Sequence, residues 1–222
     1  MEYKLMRNIV LLSGGLDSST LLYRAVGSDP QNTLALFFYY GQKSVARERT
    51  AAKYIACSRG VTMEEVDLCS VFRFSKSTLL AHITAPITQV IKNGNNTVYR
   101  SEGTEVEFRN GVLLAATISL AMQKYPEDEA TVYYGAIQTR EPFPDCSIKF
   151  VEQFDALARL CSQGRIRVEA PFAEKGKDDV FKEALQLGVP VEKTWSCYES
   201  GEKPCGICPA CLDRRILEGI NC

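Results

Sequence analysis

The stretch "NIVLLSGGLDSSTLLYRAV" (8–26) decides the fold, because a strand passes into a helix through a glycine-rich turn. Residues 8–13 are apolar enough for a buried strand, and residues 16–26 have the apolar spacing of a helix. Gly14 and Gly15 permit a tight turn that exposes consecutive backbone N–H groups. Because those donors add to the positive end of the helix dipole, the turn predicts an anion site.

The polar side chains of the turn extend this site. Ser18 and Ser19 can donate hydroxyl hydrogen bonds, whereas Asp17 would repel a phosphate. We therefore interpret Asp17 as orienting the turn or helping to hold a Mg²⁺ ion that bridges phosphate oxygens. The alternative is an ordinary strand-to-helix turn in which Asp17 and Ser18 cap the helix.

The turn matches neither GxxxxGK[ST] nor GxGxxG, two common phosphate-binding patterns. Its "SGGLDSS" (13–19) has the pattern SGGxDS and resembles the pyrophosphate loop, or PP-loop, of the ATP pyrophosphatase family. That family cleaves ATP between its α and β phosphates.

Strands and helices alternate along the rest of the chain. The pattern predicts strands over 32–40, 61–68, 131–136 and 165–171 and helices over 42–60, 110–125, 147–163 and 177–188. It predicts no regular structure over 69–107, and the "RERTAAK" helix face (47–53) is interpreted as solvent-exposed. The alternation indicates an α/β fold, a doubly wound parallel sheet with helices on both faces.

Composition and charge narrow the class of protein. The chain has 222 residues, of which 45% are hydrophobic and 24% charged, as in globular proteins. Lys plus Arg total 26 against 27 for Asp plus Glu, which argues against a broad nucleic-acid surface. No apolar run reaches the roughly 18 residues of a membrane span, and the first residues do not resemble a signal peptide, so we expect a cytoplasmic protein.

The cysteines are concentrated near the end of the chain. Four of the nine form the pattern C-x7-C-x2-C-x2-C: Cys197, Cys205, Cys208 and Cys211. An odd total and no secretory segment disfavour disulfides, and four thiolates suit a closed tetrahedral Zn²⁺ site of structural type. An iron–sulfur cluster or free thiols are the alternatives. We expect a PP-loop domain over 1–190, with a lid-like insertion at about 69–107, and a zinc-binding segment over 191–222.

Several motifs together resemble the QueC family of queuosine-pathway enzymes, the 7-cyano-7-deazaguanine synthases. Besides the PP-loop they are "YGQ" (40–42), "FRN" (108–110), "FPDC" (143–146), "GKDDVFKEALQLGVP" (176–190) and "TWSCYESGEKPCGICPACLDR" (194–214). The resemblance implies a PP-loop fold, ATP as cosubstrate, bound zinc and a homodimer. It implies that 7-carboxy-7-deazaguanine is adenylated, that ammonia gives an amide, and that a second activation removes water to leave the nitrile.

The resemblance also assigns residues. By motif match, Asp17, Arg109 and Lys177 are the candidate catalytic residues. The candidate nucleotide-binding residues are Ser13, Gly14, Gly15, Leu16, Asp17, Ser18, Ser19, Tyr40, Gln42 and Asn110, and the candidate substrate residues are Phe143, Asp145 and Trp195. Trp195 could instead serve packing, as we expect for His82. The reaction requires no protein nucleophile, so we interpret Cys146 as shaping the pocket.

Departures from the family pattern keep other functions open. Tyr39 replaces an acid before "YGQ", Glu107 replaces a proline, and "IQTREP" (137–142) replaces a run similar to N-A-x-D-Y-S-G. These changes surround the expected acceptor pocket, so a second hypothesis is an enzyme that joins the deazapurine carboxylate to another amine, on a protein or a small molecule. A PP-loop enzyme modifying transfer RNA and a non-enzymatic nucleotide-binding protein are further alternatives.

Overall fold

The computed structural model describes residues 5–27, 29–93, 96–137 and 143–219. The described residues form seven strands: β1 (Met6–Leu11), β2 (Thr33–Tyr39), β3 (Thr62–Asp67), β4 (Thr88–Asn93), β5 (Asn96–Ser101), β6 (Glu129–Tyr133) and β7 (Ile166–Glu169). Their six α-helices are α1 (Leu16–Val26), α2 (Val45–Ser58), α3 (Arg109–Lys124), α4 (Ile148–Cys161), α5 (Lys177–Gln186) and α6 (Pro209–Leu217). Within these ranges no helix is long and apolar enough to cross a membrane.

Five parallel strands form the main sheet, in the order β3-β2-β1-β6-β7. β1 lies at the centre, where Val10 pairs with Ala35 of β2 on one side and Tyr133 of β6 on the other. The chain winds outward from β1 in one direction and then returns to continue in the other. The strand order therefore reverses between β1 and β6, and open α/β sheets bind ligands at the carboxyl edge of such a switch point.

Helices cover both faces of the sheet, which confirms the predicted doubly wound α/β fold. Alternate residues of β2 serve opposite faces: Phe37 packs in the core beneath α1, α2 and α5, and Phe38 packs in the core beneath α3 and α4. Both cores exclude solvent, since Leu21 in the first core and Leu114 in the second are fully buried. Because β2 is buried on both faces, its sequence is almost continuously apolar.

The prediction of an irregular stretch over 69–107 is wrong for residues 88–101. β4 and β5 pair antiparallel there, with Val90 opposite Tyr99 and Ile91 opposite Val98. Asn93-Gly94 lies between runs of β-branched and aromatic residues, a pattern that favours a hairpin. Helix α6 was also not predicted, because the cysteine spacing dominated the interpretation of that segment. The division into a PP-loop domain and a zinc-binding segment stays a prediction.

Candidate active site and metal centre

A cavity of about 370 Å³ opens at the carboxyl edges of β1, β2 and β6. Its volume lies in the range of small-molecule sites in proteins. The cavity is lined by most of the residues that the sequence singled out: Ser13, Gly15, Leu16, Asp17, Ser18, Tyr40, Gln42, Arg109, Asn110, Phe143, Lys177 and Trp195. Gly14, Ser19 and Asp145 lie outside this lining. The fold thus gathers segments from both halves of the chain around the switch point.

Gly14 fixes the path of the PP-loop. Its φ is +80°, and a Cβ atom there would lie 2.5 Å from the carbonyl oxygen of Glu48 on α2. Its own carbonyl oxygen accepts a 2.9 Å hydrogen bond from the backbone N–H of Trp195. The loop is therefore held between α2 and the segment that leads to the cysteines, with no room for a side chain at this position.

The serines of the loop order it from within. The Ser18 hydroxyl accepts a 3.1 Å hydrogen bond from the Ser13 N–H and donates a 3.2 Å bond to the carbonyl oxygen of Gly15. No side chain in the described part of the chain caps the N-terminus of α1. The backbone N–H groups of its first turn are therefore available to an anion in the cavity.

Ser19 differs from its neighbour. Its hydroxyl is fully buried and finds no hydrogen-bond partner among the described residues. Since Ser19 does not line the cavity, the geometry of this structure does not bring its hydroxyl to the ligand space.

Asp17 lies beside a lysine–carboxylate pair. Burial raises the pKa of Asp17, while nearby Lys177 lowers it and nearby Asp213 raises it. Lys177, the first residue of α5, forms an ion pair with Asp213 of α6. No hydrogen bond within the described ranges occupies the Asp17 carboxylate, so an oxygen ligand is available for a hard cation such as Mg²⁺.

A second buried carboxylate lines the cavity, from Glu48 on α2. Its oxygens accept hydrogen bonds from Gln42 Nε2 at 3.0 Å and from the Ser44 hydroxyl at 2.7 Å. Burial raises the pKa of Glu48. The interpretation of "RERTAAK" as a solvent-exposed face is wrong for this residue. Sequence alone does not show that Glu48 faces the PP-loop, because Arg47 and Arg49 on either side of it are also charged and all three positions look equally suited to solvent.

Arg109 and Asn110 begin α3 at the far side of the cavity. Arg109 Nη1 donates a 3.1 Å hydrogen bond to the Tyr40 hydroxyl, which keeps the guanidinium beside β2. The Asn110 N–H donates to Asp145 Oδ2 at 3.3 Å, and Asn110 Nδ2 lies 3.5 Å from the Cys146 sulfur. Asp145 thus contacts the start of α3 from outside the cavity lining, whereas Cys146 itself lines the cavity.

Other predicted positions can be placed more briefly. Phe143 is 44% exposed and lines the cavity. His82 contacts the carbonyl oxygen of Ser75 at 2.9 Å and does not line the cavity. Of "IQTREP" (137–142), only Ile137 is within the described residues.

The four cysteines converge as the spacing predicts. The sulfurs of Cys197, Cys205, Cys208 and Cys211 all lie within 4.8 Å of one another. Four ligands at about 2.3 Å from a tetrahedral zinc would stand roughly 3.8 Å apart, so the donor set fits. The Cys205 N–H donates to the Cys197 sulfur at 3.3 Å, and the Cys208 N–H donates to the Cys205 sulfur at 3.4 Å. Such bonds stabilise thiolates. Cys222 lies outside the described residues.

Together, the parallel sheet, the glycine loop at its switch point and the four-cysteine group define a PP-loop α/β protein with a donor set that fits a metal ion. The sequence matches the family model described as "Queuosine biosynthesis protein QueC" over residues 7–217. The chain belongs to this family.

Individual relatives agree with this assignment. The chain is 32% identical over 219 residues to a 7-cyano-7-deazaguanine synthase from Nitratiruptor sp., covering 97% of this chain and 94% of that one. It is 36% identical over 214 residues to a 7-cyano-7-deazaguanine synthase from Caldicellulosiruptor bescii, covering 94% and 90% of the two chains. Among solved structures, an NH3-dependent NAD synthetase from Campylobacter jejuni is 13% identical with a TM-score of 0.48, covering 84% of this chain and 67% of that one.

Proposed function

We propose that the chain is an ATP-dependent carbon–nitrogen ligase that converts 7-carboxy-7-deazaguanine and ammonia to 7-cyano-7-deazaguanine. The observation that carries the proposal is that one cavity joins the PP-loop, Lys177 and Arg109 to the Asn110 and Phe143 region. This is the arrangement that a carboxylate-activating enzyme requires, because a phosphate chain and an acid must meet within bonding distance. The curated relatives named above support the substrate.

The chemistry follows from the poor reactivity of a carboxylate. Its oxygen attacks the α-phosphorus of ATP and pyrophosphate leaves, which gives an acyl-adenylate whose carbonyl has a good leaving group. Ammonia displaces AMP and loses a proton to form the amide. The amide oxygen then attacks the α-phosphorus of a second ATP and pyrophosphate leaves, after which the activated amide loses AMP and its two N–H protons to leave the nitrile. No step requires a protein nucleophile.

The residues of the cavity have distinct roles in this proposal. The backbone N–H groups of the PP-loop bind the phosphates that depart, and Lys177 offsets the charge that builds on the phosphoryl oxygens. Arg109 orients the acid, since a guanidinium matches a carboxylate in shape and charge. Asn110 and Phe143 contact the deazapurine.

Two metals belong to the proposal. The Asp17 carboxylate would hold a Mg²⁺ ion, which when bound supplies further charge to the phosphate oxygens. The four cysteines would hold a structural Zn²⁺ ion, because four protein ligands leave no open coordination position. The homodimer and the cytoplasmic location expected from the sequence stay predictions.

A product assay tests the function. The protein is incubated with ATP, Mg²⁺, ammonium and 7-carboxy-7-deazaguanine, and the products are identified by mass spectrometry alongside pyrophosphate release. We expect the nitrile, with pyrophosphate release that depends on the carboxylate. No pyrophosphate release with this acid would reject the proposal. Lys177→Met should lose this release, and the matched control is Lys182→Met, which removes an exposed lysine from the same helix.

A second candidate keeps the activation step and changes the amine. It is favoured by exposed aromatic surface beside Arg109: Phe108 is 59% exposed and Phe143 is 44% exposed. In that case the product is an amide with a larger amine, on a small molecule or a protein, and the assay above yields pyrophosphate without nitrile. Repeating it with amines of increasing size and searching for the amide mass separates the two functions.

A further inference from the structure

Asp213 is a charged residue of the cavity that the proposed mechanism leaves unused. It lines the same space as Asp17 and Lys177, and its carboxylate forms the ion pair with the Lys177 ammonium. Neither side chain is deeply buried, with 34% of Lys177 and 45% of Asp213 exposed. A pair this accessible contributes little to the stability of the fold. Its position therefore suggests a role other than stability.

The Lys177 ammonium needs a fixed hydrogen-bond partner in order to stay in one place beside a phosphate. It is the first residue of α5, where its four-carbon side chain leaves the helix toward open space in the cavity. A lysine side chain has many rotamers, so without a fixed contact its ammonium would sample many positions. Catalysis that depends on placing a cation against a phosphoryl group loses rate when the cation moves.

The helix that carries Asp213 can supply this fixed contact. Two of the four cysteines belong to this helix. Cys208 directly precedes the first residue of α6, and Cys211 lies within α6, one turn before Arg214. Arg214, next to Asp213, donates hydrogen bonds to Thr194 Oγ1 at 2.8 Å and to the carbonyl oxygen of Val191 at 2.7 Å. The Asp213 backbone is therefore tied to the protein on two sides.

The charges are compatible with a bound phosphate. An ammonium has three N–H donors, so one can remain on Asp213 while two face a phosphate oxygen. The negative charge of Asp213 would repel a phosphate chain by itself, but Lys177 neutralises it. Replacing the carboxylate by an amide should therefore free the lysine without weakening nucleotide binding.

We propose that Asp213 is a positioning residue, which holds the Lys177 ammonium at the phosphate side of the cavity during adenylation. The inference rests on the proposed function, because Lys177 acts on the phosphates there. It predicts a specific kinetic pattern: Asp213→Asn lowers kcat and leaves the KM for ATP unchanged or lower. Loss of a merely structural contact would raise KM and lower the melting temperature together.

The experiment is a double-mutant cycle on pyrophosphate release, with Asp213→Asn, Lys177→Met and the double variant. We expect Asp213→Asn to lower kcat about 10- to 100-fold, the range typical of a misplaced catalytic group. In the Lys177→Met background it should cause no further loss, because its partner is absent. Asp213→Glu, which keeps the charge, should recover part of the rate.

The matched control is Glu64→Gln. It breaks a lysine–carboxylate pair of similar exposure, Lys124–Glu64 at 2.5 Å, outside the cavity lining. This control should keep the kcat of the unmodified protein, and its change in melting temperature sets the scale for Asp213→Asn. An unchanged kcat in Asp213→Asn, an equal loss in both lysine backgrounds, or a melting temperature that falls well below that of the control would each overturn the proposal. Failure of the unmodified protein to release pyrophosphate would reject the proposed function instead, so the two failures are distinguishable.

Discussion

The backbone N–H of Trp195 donates a 2.9 Å hydrogen bond to the carbonyl oxygen of Gly14. The indole Nε1 of the same tryptophan donates to the carbonyl oxygen of Cys197 at 2.7 Å. One residue therefore connects the cysteine group to the PP-loop through two hydrogen bonds. The four-cysteine group and the PP-loop are in this way parts of one structure, although they lie far apart in the sequence.

Removing the metal should therefore weaken nucleotide binding. Chelation, or Cys205→Ser, releases the segment around Trp195 and leaves the Gly14 carbonyl without its donor. We expect the Kd for ATP, measured by titration calorimetry, to rise about tenfold, equivalent to about 1.4 kcal/mol. Cys161→Ser is the control, because Cys161 is exposed and lies outside the cysteine group. A metal-free protein that binds ATP as tightly as the loaded protein would show that the link has no energetic effect.

Gly14→Ala should affect both stability and binding. A Cβ atom would clash with the α2 backbone at 2.5 Å, in addition to the strain of a φ of +80°. We expect a loss of about 2 to 4 kcal/mol in the free energy of unfolding, measured with urea, and loss of ATP binding.

Gly60→Ala separates the two causes. Gly60 also has a positive φ, +64°, but a Cβ atom there meets nothing within 4 Å. It should therefore show only the conformational strain, about 1 to 2 kcal/mol, and keep ATP binding. Equal losses in the two variants would mean that the close approach to α2 is unimportant.

Asp17→Asn should stabilise the fold at neutral pH while abolishing turnover. Burial raises the pKa of Asp17 in the folded state above its ordinary value of 3.8. Between pH 3.8 and this raised pKa, the folded state therefore binds more protons than the unfolded state. The free energy of unfolding due to this group therefore falls as pH rises through that window. The variant should be more stable than the parent at pH 7, on the order of 1 kcal/mol, and the difference should vanish below about pH 3.8. Thermal unfolding across pH measures this. A less stable variant at pH 7 would contradict the assignment.

Cys146→Ala should keep most of the activity. Burial raises the pKa of the Cys146 thiol, so little thiolate is present at neutral pH. Its contacts with Asn110 and Tyr134 instead suit packing at the start of α3. We expect a loss of less than about tenfold in kcat and no covalent adduct by intact mass during turnover. A loss on the order of 1,000-fold, or a trapped thioester, would make Cys146 a nucleophile.

Local sequence was sufficient to predict the main sheet, the PP-loop and the four-cysteine group. β2 is an almost continuous apolar run, β1 ends in the apolar residues 9–11, and the turn between β1 and α1 contains its own glycines. Each could therefore be predicted without knowing the rest of the chain. The four cysteines likewise carry their geometry in their spacing. These features are determined by residues close together in sequence, which is what periodicity and motifs detect.

The residues that sequence reasoning missed depend on long-range packing. Glu48 lies on a polar helix face whose charges look alike, and only the packing of α2 against the PP-loop shows that this carboxylate meets the cavity. Asp213 follows the cysteine pattern closely, so its pairing with Lys177 is visible only once α5 and α6 are placed. The β4–β5 hairpin was missed for a different reason: its turn signal, Asn93-Gly94, is local in sequence, but the whole of 69–107 was interpreted as irregular.

The long separation between Gly14 and Trp195 also bears on the order of synthesis. All seven strands of the described chain are complete by Glu169, before the ribosome has made Trp195, the four clustered cysteines or Asp213. The sheet can therefore assemble before Trp195 is made, whereas the PP-loop gains its hydrogen bond from Trp195 only later in synthesis. ATP binding should consequently appear later during translation than the sheet does.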